Sequence, residues 1–535
     1  MAKGFIGSDR GGQSALFPVQ VRDVLPADHR VWQVLDQVDG LDLSAFRAAY
    51  HQGGAGRAPY DPGMLLGLFI YCYGKRVRGL RAIRQACIDD LGARVIMGGR
   101  VPGLGRLSEF LSRHKAAIER LLPATVAMGE RLGLVRLDVV AGDGTKVAAN
   151  AAMTATVQEA DLRAQISDLQ AKVTTATAAW DAQVVAAGDR AGSAFGAHDL
   201  DPALRLDLHP DQPVQPEAGV DAAADGPMTW RRLMGLTRTL AARQEALAWL
   251  AEHPPETATT AWRERLAGDQ QRVQAARARL QALRARLQAA WDERQAGLSA
   301  GKVFRGPPMV PVERHSAVQR EQQALDTAIA RAARTAADRP AATRVNVTDP
   351  ASRIMPSKRG GYDQMFNVQA IACVGQFILA ITVHDNPNDK QALKPLAQAA
   401  RANLDAAGIT RPIGTGLFDS GYASEDNLTD PDLPFDQLLV AVEKEARQTG
   451  RLQDATSTAA AAWQAMATTL ADPGNAALYK RRAAIIEPLF AQLFQIFGRD
   501  LHTRGDSVTT ELHLWAVTHN LDKITRARRR RRPAA

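Results

Sequence analysis

The stretch Leu137–Lys146 places the tightest constraint on what this chain folds into. Val139 and Val140 are β-branched strand formers, and they lead into Gly142-Asp143-Gly144, where glycines on both sides permit sharp turns and close approach of another group. The expectation is a short apolar strand that delivers one carboxylate, Asp143, into a tight glycine turn. An acid held that way suits a metal ion. Taken alone, the pattern is more often a plain turn in which an aspartate bonds its own backbone, and only residues far downstream separate the two readings.

At 535 residues the chain has room for about three or four domains. Cys72, Cys87 and Cys373 form no Cys-x-x-Cys spacing, which argues against a zinc site or a disulfide framework and fits a reducing cytosol. The N-terminus lacks the apolar core of a signal peptide, and the longest apolar run, around Met64–Tyr73, is too short to span a bilayer, so a soluble cytoplasmic protein is expected. The net charge of +9 points to a polyanion, but Arg526–Arg532 supplies six of those charges. Such a run either neutralises phosphates or is a solvated end.

From Leu16 to Gly133 the pattern is helical, with turns at Pro26, Gly53-Gly54 and Val101-Pro102-Gly103, and reads as one domain, residues 1–133. Asp61-Pro62 is a cap and first-turn pair opening a buried helix over Met64–Tyr73. Lys75–Arg84 then interleaves cations with apolar anchors, and Arg106, Arg113, His114 and Lys115 form a second basic set. Arg76, Arg78, Arg81 and Arg84 are the pattern of a helical domain that positions itself on DNA phosphates, or of an ordinary solvated helix face. Residues 151–340 are rich in Ala, Gln and Arg and read as a helical insertion containing a disordered loop over Gly188–Gly226. Within it Leu266, Val273, Leu280 and Leu287 recur every seven residues, with Ala276, Leu283 and Ala290 three on, a coiled-coil pattern. Its partner is either Ala317–Ala333 of the same chain or another protein.

Strand patterns return after Arg344. Phe366–Val374 and Phe377–Val383 form a hairpin across Gly375-Gln376. A helix opened by Asn388 follows, then Gly414–Phe418 delivers a second acid, Asp419, to a Gly421 turn. Gln437–Val442 is another strand. Leu489, Phe490, Leu493 and Phe497 mark a late packed helix with Glu487 near its start and Pro488 starting or kinking it. Two strand-end aspartates and a helix-borne glutamate are what a pair of hard cations needs for in-line phosphodiester displacement. Their order suits an α/β RNase H-like core, a mixed sheet flanked by helices, split into residues 134–150 and 341–524 around the insertion, with an all-α domain before it and a basic tail, 525–535, after it.

Several fragments together carry a family resemblance: Leu16-Phe17-Pro18; Val24–His29; Tyr60-Asp61-Pro62 with Met64–Leu66; Asp143-Gly144-Thr145-Lys146 with Ala149-Asn150; Thr348-Asp349-Pro350 with Ser352; Phe366–Ala370; Asn386–Lys390; Asp419 with Gly421-Tyr422 and Asn427; Tyr479-x-x-Arg482 with Glu487; and His519-Asn520-Leu521. The chain resembles bacterial insertion-sequence transposases of the DDE type, in the group whose glutamate follows Tyr-x-x-Arg. That resemblance implies that Asp143, Asp419 and Glu487 are the catalytic triad and bind two Mg²⁺ ions, for which Mn²⁺ substitutes. It implies that Tyr479, Arg481, Arg482 and Lys146 contact the DNA end. The partners implied are double-stranded DNA, as terminal inverted repeats and target, and further copies of this chain in a dimer or larger assembly. The sequence departs from the family pattern at Phe494, where a lysine is usual, at Cys373, where an acid is common, and across Gly105–Glu109.

Two other readings compete. One is a transposase-derived DNA-binding protein that does not cut, acting as repressor or architectural factor; the other is a helical scaffold whose coiled coil is its function. Only the enzyme needs a divalent metal.

Overall fold

The computed structural model describes residues 25–50, 58–190, 228–252, 256–304, 309–337, 344–357, 360–442 and 458–531. It is mixed α/β and divides into two compact units, one of Met1–Ala155, Ala178–Thr229 and Asn346–Ala535, the other of Thr156–Thr177 and Trp230–Val345. No helix among the described residues is long and apolar enough to cross a membrane.

The first unit opens with helices α1 (Arg30–Asp39), α2 (Ser44–Ala48), α3 (Pro62–Gly74), α4 (Leu80–Asp89), α5 (Leu91–Ile96), α6 (Leu104–Arg113), α7 (Lys115–Glu119) and α8 (Leu121–Glu130). Asp61 caps α3, accepting from the Gly63 N–H at 2.7 Å with Pro62 in the first turn, and the helix is buried from Pro62 to Tyr73, as its all-round apolar sequence requires. These helices do not form a body of their own: Val34, Phe69, Phe110 and Val126 share one continuous core with the sheet residues Val140, Ile371 and Ile378. The basic stretch Lys75–Arg84 is not one helix face either. The chain breaks after Gly74, with Arg76 at φ 65° and Gly79 at φ 75°, before α4 begins.

The sheet is formed by β1 (Val139–Ala148), β4 (Arg353–Pro356), β5 (Tyr362–Cys373), β6 (Phe377–His384), β7 (Ile413–Phe418) and β8 (Phe435–Val440), in the order β4-β5-β1-β7-β8 with β6 also on β5. β1 is antiparallel to β5 and parallel to β7, which is parallel to β8. The β5–β6 hairpin turns over Val374, Gly375 and Gln376, with Gly375 and Gln376 both at positive φ. Helices α13 (Leu393–Ala406), α16 (Pro473–Phe497) and α17 (Ser507–Arg531) pack on the sheet, and α14 (Glu425–Thr429) and α15 (Thr458–Ala471) complete the unit. Buried Asn520 of α17 accepts from the Ile378 N–H and donates to the Ile378 carbonyl, both at 2.9 Å, fixing the helix to β6.

Three expectations are corrected here. Asp143 is not in a turn: β1 runs straight through it, and Asp143 lies opposite Ala370 of β5. Glu487 is not near a helix start, because α16 begins at Pro473 and continues through Pro488. Proline there has no N–H for the Ala484 carbonyl four residues back, and the Gln376 side-chain amide donates to that carbonyl instead, at 3.2 Å. The basic tail does not begin as a separate segment at 525, since α17 continues to Arg531, with Arg531 donating to the Leu132 carbonyl at 2.8 Å and Arg529 to that of Asp28 at 3.1 Å.

The second unit contains β2 (Thr156–Gln158) paired with β3 (Arg344–Asn346), part of α9 (Glu159–Arg190), α10 (Trp230–Glu252), α11 (Glu256–Ser299) and α12 (Ser316–Ala337). The heptad residues Val273, Ala276, Leu280, Leu283 and Leu287 of α11 pack on Val318 and Leu325 of α12. Contacts from Trp262 Nε1 to the Thr335 carbonyl and from Arg284 to Glu313 make this an antiparallel helical hairpin within the chain. The loop expected over Gly188–Gly226 lies almost wholly outside the described residues.

Candidate active site

The parallel pairing of β1 with β7 brings the first two carboxylates together. Ala141 lies beside Leu417 in that register, two residues before Asp143 and two before Asp419. Gly142 and Gly144 serve close approach rather than a turn: a Cβ on Gly142 would collide with the Phe418 ring, and one on Gly144 with the Gln369 amide. Asp419 follows the last residue of β7 and accepts from the Gly421 N–H at 2.9 Å, the turn bond expected of it. Asp143 Oδ1 accepts from the Gly144 N–H at 2.7 Å.

Arg482, on α16, stands between the two acids, with Nη1 3.1 Å from Asp143 Oδ2 and Nη2 3.9 Å from Asp419 Oδ2. Burial pushes the Asp143 carboxyl above its usual range; Arg482 opposes that shift and the charge of Asp419 adds to it. Burial disfavours the Arg482 cation, but the two aspartates outweigh it and raise its pKa. Tyr479, one helical turn earlier, donates its hydroxyl to the Phe418 carbonyl at 3.0 Å, and burial raises its pKa. Arg481 reaches Asp138 at 3.8 Å across an exposed gap.

A third aspartate, Asp389, joins from the loop before α13. Its Oδ1 accepts from the side-chain amides of Asn367 and Gln369, both at 2.7 Å, and lies 3.5 Å from Lys146 Nζ. A Cβ on Gly421 would be 3.0 Å from Asp419 Oδ1 and 3.3 Å from Asp389 Oδ2, so both acids lie close to one backbone position. Buried Tyr422 donates to Gln369 Oε1, and its phenol pKa is driven well up by burial and then by Asp389, Asp143 and Asp419. Burial lowers the Lys146 pKa and Asp389 opposes the shift. Asp389, Asn367 and Gln369 belong to Phe366–Ala370 and Asn386–Lys390, two fragments of the family resemblance that carry no site role in the sequence pattern. Polar residues inside an otherwise apolar strand were the signal available.

The structure does not bring Glu487 to this group. It is exposed on α16, with no hydrogen bond or ion pair among the described residues, and no group of three His, Cys, Asp or Glu among the described residues is close enough to hold a metal ion. At Phe494, where a lysine was expected, the Arg499 guanidinium lies 3.9 Å over the ring. Of the N-terminal cations, Arg76, Arg81 and Arg84 are exposed, while Arg78 donates to the Asp500 carbonyl at 2.9 Å. In the second basic set, Arg106 and Arg113 both pair with Glu109, and His114 is buried against Tyr50, its pKa pushed down to about 4 by burial.

The helical segment that carries those cations is similar to a known family. Residues 19–113 match the family model described as Transposase domain (DUF772). The match supports a transposase. It covers the segment from before α1 to the end of α6, and Asp143, Asp389, Asp419 and Glu487 lie outside it. No curated protein and no solved structure matches the chain.

Proposed function

We propose that this transposase is of the DDE type, cutting DNA at the ends of its own insertion sequence and joining them to target DNA through an RNase H-like core. The observation carrying this is the meeting of Asp143 and Asp419 on Arg482 at adjacent parallel strands. The sheet order, with β6, β5 and β1 antiparallel and then β7 and β8 parallel to β1, supports the RNase H-like reading.

Asp143 and Asp419 are hard oxygen donors that fit Mg²⁺ or Mn²⁺, and the Arg482 guanidinium balances the charge that a cation there would balance. Glu487 is the third ligand in this reading. Two ions held by these carboxylates would activate an attacking water or 3′ hydroxyl and offset charge on the phosphate. The chain's own part is to hold the DNA end: Arg482 meets a phosphate with two parallel N–H donors, flanked by Tyr479, Arg481 and Lys146, while Arg76, Arg78, Arg81 and Arg84 take backbone phosphates. Nicking and strand transfer are one displacement with different nucleophiles. Because two ends are joined together, the working form is a dimer or larger assembly on inverted-repeat DNA, in the cytoplasm.

A second reading, a DNA-binding derivative that no longer cuts, is favoured by the exposed position of Glu487 and the Arg482–Asp143 pair. The test is cleavage of a labelled duplex bearing the element's end, with Mg²⁺, Mn²⁺ or EDTA, by the wild type and by Asp143→Asn. Metal-dependent nicking lost in a variant that still shifts the DNA supports the enzyme. Binding without cleavage under every metal condition selects the silent derivative, and cleavage unchanged in Asp143→Asn overturns the assignment of that carboxylate.

A further inference from the structure

Away from the carboxylates, a cavity of about 320 Å³ opens among α1, the end of α3, α16 and α17. Its charged lining is Arg30, Arg76, Lys523 and Arg526 against a single carboxylate, Asp522, which Arg30 already holds at 2.8 Å. His519 adds no charge: burial pushes its pKa down to about 4 and its Nε2 lies 2.7 Å from the Gln376 carbonyl.

Three further features show that this cation cluster is not ordinary surface. Arg76 occupies the position after α3 where the chain turns left-handed: its N–H donates to the Tyr73 carbonyl and the next N–H, of Val77, to Cys72, the hydrogen-bond pattern that usually places glycine there. An arginine is kept where glycine would fit without strain, and its side chain lines the cavity. Arg30 Nε is buried with no hydrogen-bond partner among the described residues. Lys523 is anchored at the cavity wall by donating to the Gly375 carbonyl at 2.9 Å and Gln376 Oε1 at 3.1 Å, and its amine is pushed down to about 8 by burial and, less, by the neighbouring Arg526, a shift that an anion beside it would oppose.

We infer that this cavity binds a backbone phosphate of double-stranded DNA, at a contact separate from the carboxylate site and built from Arg30, Arg76, Lys523 and Arg526. The inference rests on the DNA-handling function proposed above. It favours DNA over a free anion because Arg526 belongs to the arginine run that continues along α17 to Arg531, as an extended polyanion requires.

The experiment measures affinity of the full-length protein for a labelled duplex across a salt series, for the wild type and for Arg76→Gly with Arg526→Gln. Both side chains are exposed, and glycine suits the left-handed position, so thermal stability should be kept. A control, Arg277→Gln with Arg286→Gln, removes two exposed cations from α11. The expected result is a loss of about tenfold in affinity at moderate salt and a salt slope shallower by about two for the cavity variant, with the control near wild type. Lys523→Gln should move the same way. Equal binding by cavity variant and control overturns the inference while leaving DNA handling intact, and a wild type that binds no duplex overturns both. Inorganic pyrophosphate stabilising the wild type but not the cavity variant, with duplex binding unchanged between them, would assign the cavity to a free anion and overturn the DNA contact.

Discussion

Arg482 Nη1 lies 3.1 Å from Asp143 Oδ2, joining the interior of a long helix to the middle of the central strand. The pair is mostly buried, so removing the cation leaves Asp143 and Asp419 facing each other without compensation. Arg482→Gln should cost on the order of 2–4 kcal/mol at neutral pH. Millimolar Mg²⁺ or Mn²⁺ should raise its melting temperature more than that of the wild type, because a bound ion takes over the same charge. Thermal unfolding with and without EDTA checks this, and no metal-dependent shift in either protein would count against a cation site at these carboxylates.

Gly142→Ala tests the close approach of β1 and β7. The added methyl collides with the Phe418 ring, whose neighbours Tyr422 and Phe435 leave it little room to retreat. A destabilisation of about 1–3 kcal/mol is expected from urea unfolding. A variant as stable as wild type would show that glycine is dispensable there.

How much of this site was legible in the sequence follows from the range of each interaction. Asp61-Pro62 and Gly375-Gln376 are governed by residues a few positions away, and they form the cap and the hairpin their patterns announce, while the heptad residues of α11 follow a simple period and pack on α12. Gly142 and Gly144 answer to Phe418 and Gln369, more distant in the chain than any local pattern reaches, so a close-approach glycine pair looked like a turn. Asp389 was passed over for the same reason, since the amides that hold it come from β5. Pro488 looked like a helix start because its substitute donor, Gln376, sits at the tip of a hairpin.

Tyr422→Phe removes the only hydroxyl donated to Gln369 Oε1 among the described residues and leaves a buried acceptor without a partner. Stability should fall by about 1–3 kcal/mol. Because Gln369 also donates to Asp389, metal-dependent nicking should fall too, while the affinity for duplex at the cavity contact stays the same. Parallel melting, cleavage and binding assays separate these outcomes.

Asp349 sets a pH dependence. It is fully buried before β4, with Oδ1 accepting from the Gly505 N–H at 3.2 Å and Oδ2 without a partner among the described residues, and burial pushes its pKa up to about 6. A carboxyl whose folded pKa is raised stabilises the fold fully below its unfolded value, near 3.8, and loses that contribution as pH climbs through 6. Between pH 4 and 7 the wild type should therefore lose about 2.5 kcal/mol that Asp349→Asn does not lose. Urea midpoints of both proteins across that range provide the measurement, and parallel pH profiles would remove Asp349 as the cause.

The pairing of Val140 with Cys373 has a consequence for how the protein is made. Roughly 230 residues separate the two, so at ordinary translation rates β1 leaves the ribosome on the order of ten to fifty seconds before β5, and longer still before β7. For that interval Val139–Ala141 form a β-prone segment with both edges open, the condition that invites wrong pairing. The helical hairpin of α11 and α12 is made in the meantime and has local contacts that form fast. Stalled nascent chains ending before and after Cys373 should differ in whether protease reaches β1. The second unit thus acts as a timer, making the moment at which the carboxylates first meet depend on the ribosome's progress through the message.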